Sequence, residues 1–213
     1  MTNIFTNPGL FMTINEYIDL RSLCDTCLLF AILKKYINYK LNREYSLMYY
    51  DDILFRNIVL NKIFNPSKQL HINLSDFDNI IDVSILDNVH TLNLSWCKNI
   101  IDVSALGHIH TLDLTNCENI TDVSALGNIH TLYLTGCNIT DVSMLGNVHK
   151  LVLRCCYDIT DVSVLGNVYY LDLSCCYDIS DVSKLGKVHT LDLSYCDKIT
   201  DVSMLGNVHL IKN

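Results

Sequence analysis

The chain has 213 residues, 50% of them apolar, and a formal charge of −8, so one or two domains with a continuous core lie within its reach. The charge is uneven: residues 1–66 carry seven basic and six acidic groups, residues 67–213 eight and seventeen. An acidic region repels phosphate instead of releasing counterions from it, which argues against nucleic-acid binding and leaves room for a partner with a basic patch. The opening Met-Thr-Asn-Ile-Phe-Thr has neither the basic nor the apolar region of a signal peptide. The longest apolar run, Leu28 to Leu33, is too short to span a bilayer. The ten cysteines therefore read as reduced thiols of an intracellular, cytoplasmic protein with no membrane partner.

Residues 1–66 read as a helical region. Apolar side chains recur at helical spacing through Ile14, Tyr17, Ile18 and Leu20, and again through Ile53, Phe55, Ile58, Val59 and Ile63. Pro8-Gly9 breaks the start, and Asp51-Asp52 is placed to cap the last of three or four short helices. Cys24-Asp-Thr-Cys27 has the spacing of a zinc or redox site, but no second pair of ligands stands nearby, and two core cysteines on one helix face explain the pair. Lys34, Lys35, Lys40 and Arg43 alternate with Tyr36, Tyr39 and Tyr45; a solvated helix face accounts for that pattern.

The stretch Asp19 to Phe30, D-L-R-S-L-C-D-T-C-L-L-F, resembles the second half of an F-box, with Asp19, Leu20, Leu23, Cys27 and Phe30 in register. Pro8, Ile14 and Tyr17 parallel its opening. The resemblance implies a small helical unit in which Pro8, Asp19, Leu20, Leu23, Cys27 and Phe30 contact the adaptor Skp1 of a ubiquitin ligase.

Residues 67–213 repeat. Asp-Val-Ser occurs seven times, at Asp82, Asp102, Asp122, Asp141, Asp161, Asp181 and Asp201, every twenty residues with one step of nineteen. A period this short is a solenoid, in which no unit buries its apolar face until a neighbour stacks on it. In each unit a Leu-x-Leu run points both leucines to one face. It is followed by a cysteine column (Cys97, Cys117, Cys137, Cys156, Cys176, Cys196), an isoleucine column, and the Val and Leu of Asp-Val-Ser-x-Leu. The Asp should cap the next turn by accepting backbone N–H groups. The Gly that follows in six of seven units suits a left-handed residue closing it.

These columns resemble the leucine-rich repeat in its cysteine-containing form. The resemblance implies an α/β fold: a right-handed solenoid with a parallel sheet on the concave face and short 3-10 or helical turns on the convex face. About seven 20-residue repeats fill 67–213, behind the small helical region and N-terminal cap of 1–66. The column thiols are expected to be buried core groups and weak donors after the strand. A second column, His90, His110, His130, His149, His189 and His209 with Tyr169 between, reads as a half-exposed structural ladder whose rings resist joint protonation. It supplies no closed metal geometry, and no catalytic constellation or cofactor motif accompanies it.

In a solenoid the irregular outward positions carry recognition. Beside the leucines, Thr, Asn and Ser give way to Tyr133, Lys150, Val152, Arg154, Tyr170 and Asp172, with Trp96 and Tyr195 near the cysteine column. Aromatic and Arg side chains anchor interfaces, so this concave patch is the expected site for a protein target. Ile53 to Phe64 is placed to cap the first unit, and the final Val-His-Leu-Ile-Lys-Asn to form a frayed or self-associating half strand. The layout resembles the F-box-like leucine-rich-repeat proteins of amoeba-infecting giant viruses. That implies a non-enzymatic adaptor in the host cytoplasm; a plain leucine-rich-repeat binding module or decoy, its N-terminal helices only a cap, is the alternative.

Overall fold

The computed structural model describes residues 39–60 and 69–211. Cys24 and the F-box-like positions Pro8, Asp19, Leu20, Leu23, Cys27 and Phe30 lie outside the described residues. The chain divides into two compact units, Met1–Asn73 and Leu74–Asn213.

In the first unit, strand β1 (Tyr39–Lys40) precedes helix α1 (Arg43–Asp51), helix α2 (Ile53–Ile58) and strand β2 (Leu70–Asn73). β1 runs parallel to β2, with Tyr39 opposite Leu70 and Lys40 opposite His71. A two-residue strand has no period, so the sequence does not betray it. Asn42 starts α1 by accepting from the Tyr45 N–H at 2.7 Å. Asp52 starts α2 by accepting from Leu54 and Phe55 at 2.8 and 3.1 Å, so the capping expected of Asp51-Asp52 falls to Asp52. The helix that packs on β2 is α1: Ser46 Oγ accepts from the Asn73 N–H at 3.1 Å, and the Tyr49 ring is fully buried. Ile53 and Leu54, expected to help cap the repeats, are 65% and 71% exposed.

The second unit is a leucine-rich-repeat solenoid. Its strands are β3 (Thr91–Asn93), β4 (Thr111–Asp113), β5 (Thr131–Tyr133), β6 (Lys150–Val152), β7 (Tyr170–Asp172), β8 (Thr190–Asp192) and β9 (His209–Ile211). They pair in chain order, all parallel, with Leu92, Leu112, Leu132, Leu151, Leu171, Leu191 and Leu210 in unbroken register. The return path of most repeats is a 3-10 turn such as Ser104–Leu106 or Ser183–Leu185. Seven or eight residues leave no room for a longer helix. The nineteen-residue repeat loses its residue between Cys137 and Ile139, where the other repeats have two residues between these columns, and the sheet register survives. β9 pairs with β8 along three residues instead of fraying, although its own side chains stay half-exposed or exposed.

The core is built by columns. The leucines, isoleucines and cysteines are buried in nearly every rung, and each column thiol donates to the carbonyl of the leucine one repeat back. Cys97 reaches Leu74 at 3.0 Å, Cys137 reaches Leu114 at 3.1 Å, and Cys196 reaches Leu173 at 3.0 Å. Burial raises these thiols, Cys117 and Cys137 to about 12.

Two expectations about the turns are corrected. The glycine after each turn is not left-handed: Gly107, Gly186 and Gly206 have φ of −62°, −63° and −54°. Between stacked repeats it is favoured because a carbonyl of the next repeat passes over it, and a Cβ on Gly186 would meet Met204 O at 2.6 Å. The left-handed residue instead follows the strand, as Asp76, Trp96, Asn116, Gly136, Cys155, Cys175 and Tyr195, φ 57° to 68°. Nor is the repeated Asp the N-cap, a position held by the Val after it. Its carboxylate accepts the N–H of the Ser two residues on, from Asp82 to Ser84 and Asp141 to Ser143 at 2.9 and 2.8 Å, closing the turn one residue earlier than a cap does.

Candidate partner-binding face

The outward side of the sheet carries two columns, one on either side of the buried leucines. In the first, Thr91, Thr111, Thr131 and Thr190 each place Oγ1 within 3.1 to 3.2 Å of the Nδ1 of the preceding histidine. The imidazoles stack, His90 on His110 on His130 on His149 at 4.5 to 4.6 Å between centroids, and Tyr169 continues the stack to His189 at 4.4 Å. Burial, then the neighbouring His110 and His149, lower His130 below the ordinary histidine value. The ladder expected from the sequence is thus a stack of rings tethered by threonine hydroxyls.

The second column reads Asn93, Asp113, Tyr133, Val152, Asp172 and Asp192. Its amide and carboxylates close the turn that follows: Asn93 accepts from Ser95 N–H, Asp113 from Thr115, Asp172 from Ser174 and Asp192 from Ser194, at 2.8 to 2.9 Å. Asp172, read from the sequence as a contact residue, therefore holds its own turn. The recurrence of Asn or Asp two residues before Ser or Thr was the available signal.

Four neighbouring positions abandon both devices. Lys150 and Tyr170 stand where the first column has Thr; Tyr133 and Val152 stand where the second has Asn or Asp. They assemble into one feature. Lys150 Nζ lies 5.1 Å from the Tyr133 ring centroid and 5.1 Å from that of Tyr170, an ammonium between two aromatic faces. Val152 is 9% exposed in the strand between Tyr133 and Asp172. Tyr170 is raised above its ordinary range by burial, then by Asp172. Arg154, exposed, follows the same strand two residues past its end.

Trp96 and Tyr195 are not part of this feature. Both occupy the left-handed turn position and are 48% and 54% exposed. Five rungs separate them, about 24 Å at the roughly 4.8 Å spacing of stacked strands. Lys98 lies 5.9 Å from the Trp96 ring. Among the described residues no group of three or more His, Cys, Asp or Glu side chains could hold a metal ion, and no helix is long and apolar enough to cross a membrane.

Comparison with known proteins gives the class. The profile of the Leucine Rich repeat family matches residues 108–127 and 187–205. Among solved structures the chain is similar to an internalin, InlF, of Listeria monocytogenes, at 25% identity and a TM-score of 0.56 over 79% of this chain and 56% of that one. It is also similar to internalin C2 of the same organism, at 29% identity and a TM-score of 0.50 over 68% of this chain and 71% of that one. The chain thus spans little more than half of the InlF chain. No curated protein matches it. A leucine-rich-repeat fold is consistent with a protein-interaction module.

Proposed function

We propose that the protein is a non-enzymatic adaptor whose sheet face, around Lys150, Tyr133, Tyr170, Val152 and Arg154, takes a protein target. The observation carrying this reading is the clustering of four substitutions on three adjoining strands, where a lysine between two tyrosines replaces bonds that β3, β4 and β8 keep in both columns. The acidic residues of the repeats favour a target with basic groups beside an apolar side chain. The resemblance of Asp19 to Phe30 to an F-box extends the reading: this segment docks Skp1 of a host ubiquitin ligase, in the cytoplasm, and the repeats present the target for ubiquitination. A second reading, in which the N-terminal helices only cap the repeats, is favoured by the packing of α1 on β2 and the Ser46–Asn73 bond.

Purified Skp1 separates the two. The adaptor reading expects capture by the full chain and loss of capture in Leu20→Ala/Phe30→Ala, with the solenoid still folded by circular dichroism. Absence of capture by a folded wild-type chain supports the capping role instead.

A further inference from the structure

The sequence pairs cysteines twice, Cys155-Cys156 and Cys175-Cys176, and the fold separates each pair into two environments. Cys156 and Cys176 belong to the buried column, each thiol on a carbonyl at 3.1 Å. Cys155 and Cys175 come one residue earlier, at the left-handed turn, with φ of 58° and 61° and half-exposed side chains. Their turns are in step: the Cys155 N–H donates to Ser174 O at 2.9 Å, and the Cys175 N–H to Ser194 O at 2.8 Å. Successive rungs of a parallel stack lie about 4.8 Å apart, inside the roughly 4.4–6.8 Å range of Cα separations that a disulfide bridges. Two residues beyond each of these thiols, the Tyr157 and Tyr177 rings stack at 5.4 Å between centroids, so the two rungs stay in step past the turn. At the other described rungs this position holds Asp76, Trp96, Asn116, Gly136 and Tyr195, so the thiol pair occurs once.

We propose that Cys155 and Cys175 form a redox modification site, closing to an inter-repeat disulfide on reaction with a low-molecular-weight disulfide such as oxidised glutathione. One thiol gives its proton to solvent, and its sulfur attacks the reagent, forming a mixed disulfide and expelling one reagent thiolate. The second thiol, likewise deprotonated, attacks the protein sulfur of that mixed disulfide and expels the other reagent thiolate. Two protein thiols are oxidised, one reagent disulfide is reduced, and both expelled thiolates take up protons. The attacking species is the thiolate. Burial and Cys155 hold the Cys175 thiol above its ordinary range, so closure accelerates as pH rises. The buried column thiols stay out of the exchange.

The test incubates the full chain with oxidised glutathione at pH 8, followed by intact-mass analysis and digestion on the N-terminal side of aspartate. Closure removes two hydrogens and links the fragments 141–157 and 172–177. Cys155→Ser should stop at a single glutathione adduct on Cys175. Cys155→Asn, which copies the Asn116 turn, should do the same and guards against a folding defect in the serine variant. The proposal fails if the wild type accumulates a stable glutathione adduct at these positions, or if the link survives either variant. It also fails if neither cysteine reacts in the time that unfolded chain is fully modified.

Discussion

Gly186 and Gly206 offer a controlled test of why this fold uses glycine after its turn. Both have the ordinary right-handed conformation, φ −63° and ψ −4° for Gly186, φ −54° and ψ −25° for Gly206, so alanine meets no backbone strain at either. They differ in what lies above them. A Cβ on Gly186 would sit 2.6 Å from Met204 O, whereas Gly206 has nothing within 4 Å. Gly186→Ala must therefore push two stacked backbones apart by several tenths of an ångström, a form of overpacking that costs about 1–3 kcal/mol. Asp87 holds the equivalent position of the first repeat, so a rung can accommodate a Cβ, which places the expected loss near 1–2 kcal/mol. Gly206→Ala only reduces the freedom of the unfolded chain and should be neutral or stabilising, by at most about 1 kcal/mol. Urea denaturation followed by circular dichroism measures both under one set of conditions. Equal midpoints for the two variants would refute the close-approach argument.

Three further outcomes follow from particular contacts. Cys137→Ala removes the thiol from Leu114 O and opens a small void, so the unfolding free energy from urea titration should fall by about 1–2 kcal/mol. The melting midpoint should be level near pH 7 to 8, fall in alkali as the unfolded chain ionises thiols that burial keeps protonated, and decline on acidification in two stages. His130 is lowered below 6.5, so the unfolded chain takes that proton first and stability drops as pH falls from about 6.5 through the folded value. The Ser N–H and hydroxyl groups hold carboxylates such as Asp122 and Asp141 below 3.8, so their contribution, present above that value, is lost in stronger acid. His71, lowered by burial and then by Lys40, contributes to the same stage, so His130→Gln should shrink the first stage and leave the second unchanged. Tyr133→Asn restores an acceptor to its turn, and the unfolding free energy should hold or rise by up to about 1 kcal/mol while target binding is lost; a loss of more than about 1 kcal/mol would show that the ring serves stability.

The strands and their register were legible in the sequence because side-chain burial alone fixes the columns: Leu112 and Leu114, Cys117, Ile120 and Leu126 recur where a stacked unit needs apolar atoms. The donor role of the cysteines followed from the same logic, since a buried turn after a strand needs a partner for its carbonyl. What the sequence concealed was conformation. The left-handed position is filled by Asp, Trp, Asn, Gly, Cys and Tyr, and that chemical variety hides a constant φ, while the constant glycine nearby answers a distance and not an angle. The binding feature was half legible. Tyr133, Lys150 and Tyr170 stood out as departures, but Asp172 did not disclose its bond to Ser174, because that bond depends on how the chain turns after the strand. Trp96 and Tyr195 drew notice by residue type, which says nothing of distance along the stack.

The same bonds weigh repeat drift against selection. Each outward column has a local device that steadies the repeat, the threonine–histidine contact in one and the Asn or Asp turn closure in the other. A half-exposed bond of this kind is worth about 0.5–1.5 kcal/mol. Four absences, at Tyr133, Lys150, Val152 and Tyr170, forgo about 2 kcal/mol or more on that scale, a large share of what a natural domain has in reserve. Substitutions accumulating without selection have no reason to gather, since in a stack each rung feels only its neighbours. Here all four fall on β5, β6 and β7, and their side chains meet around one ammonium group. Among the rungs from β3 to β8, stability is surrendered in this one place, and the groups put there, two phenols, a lysine and a buried valine, are of the kind that a partner's surface rewards.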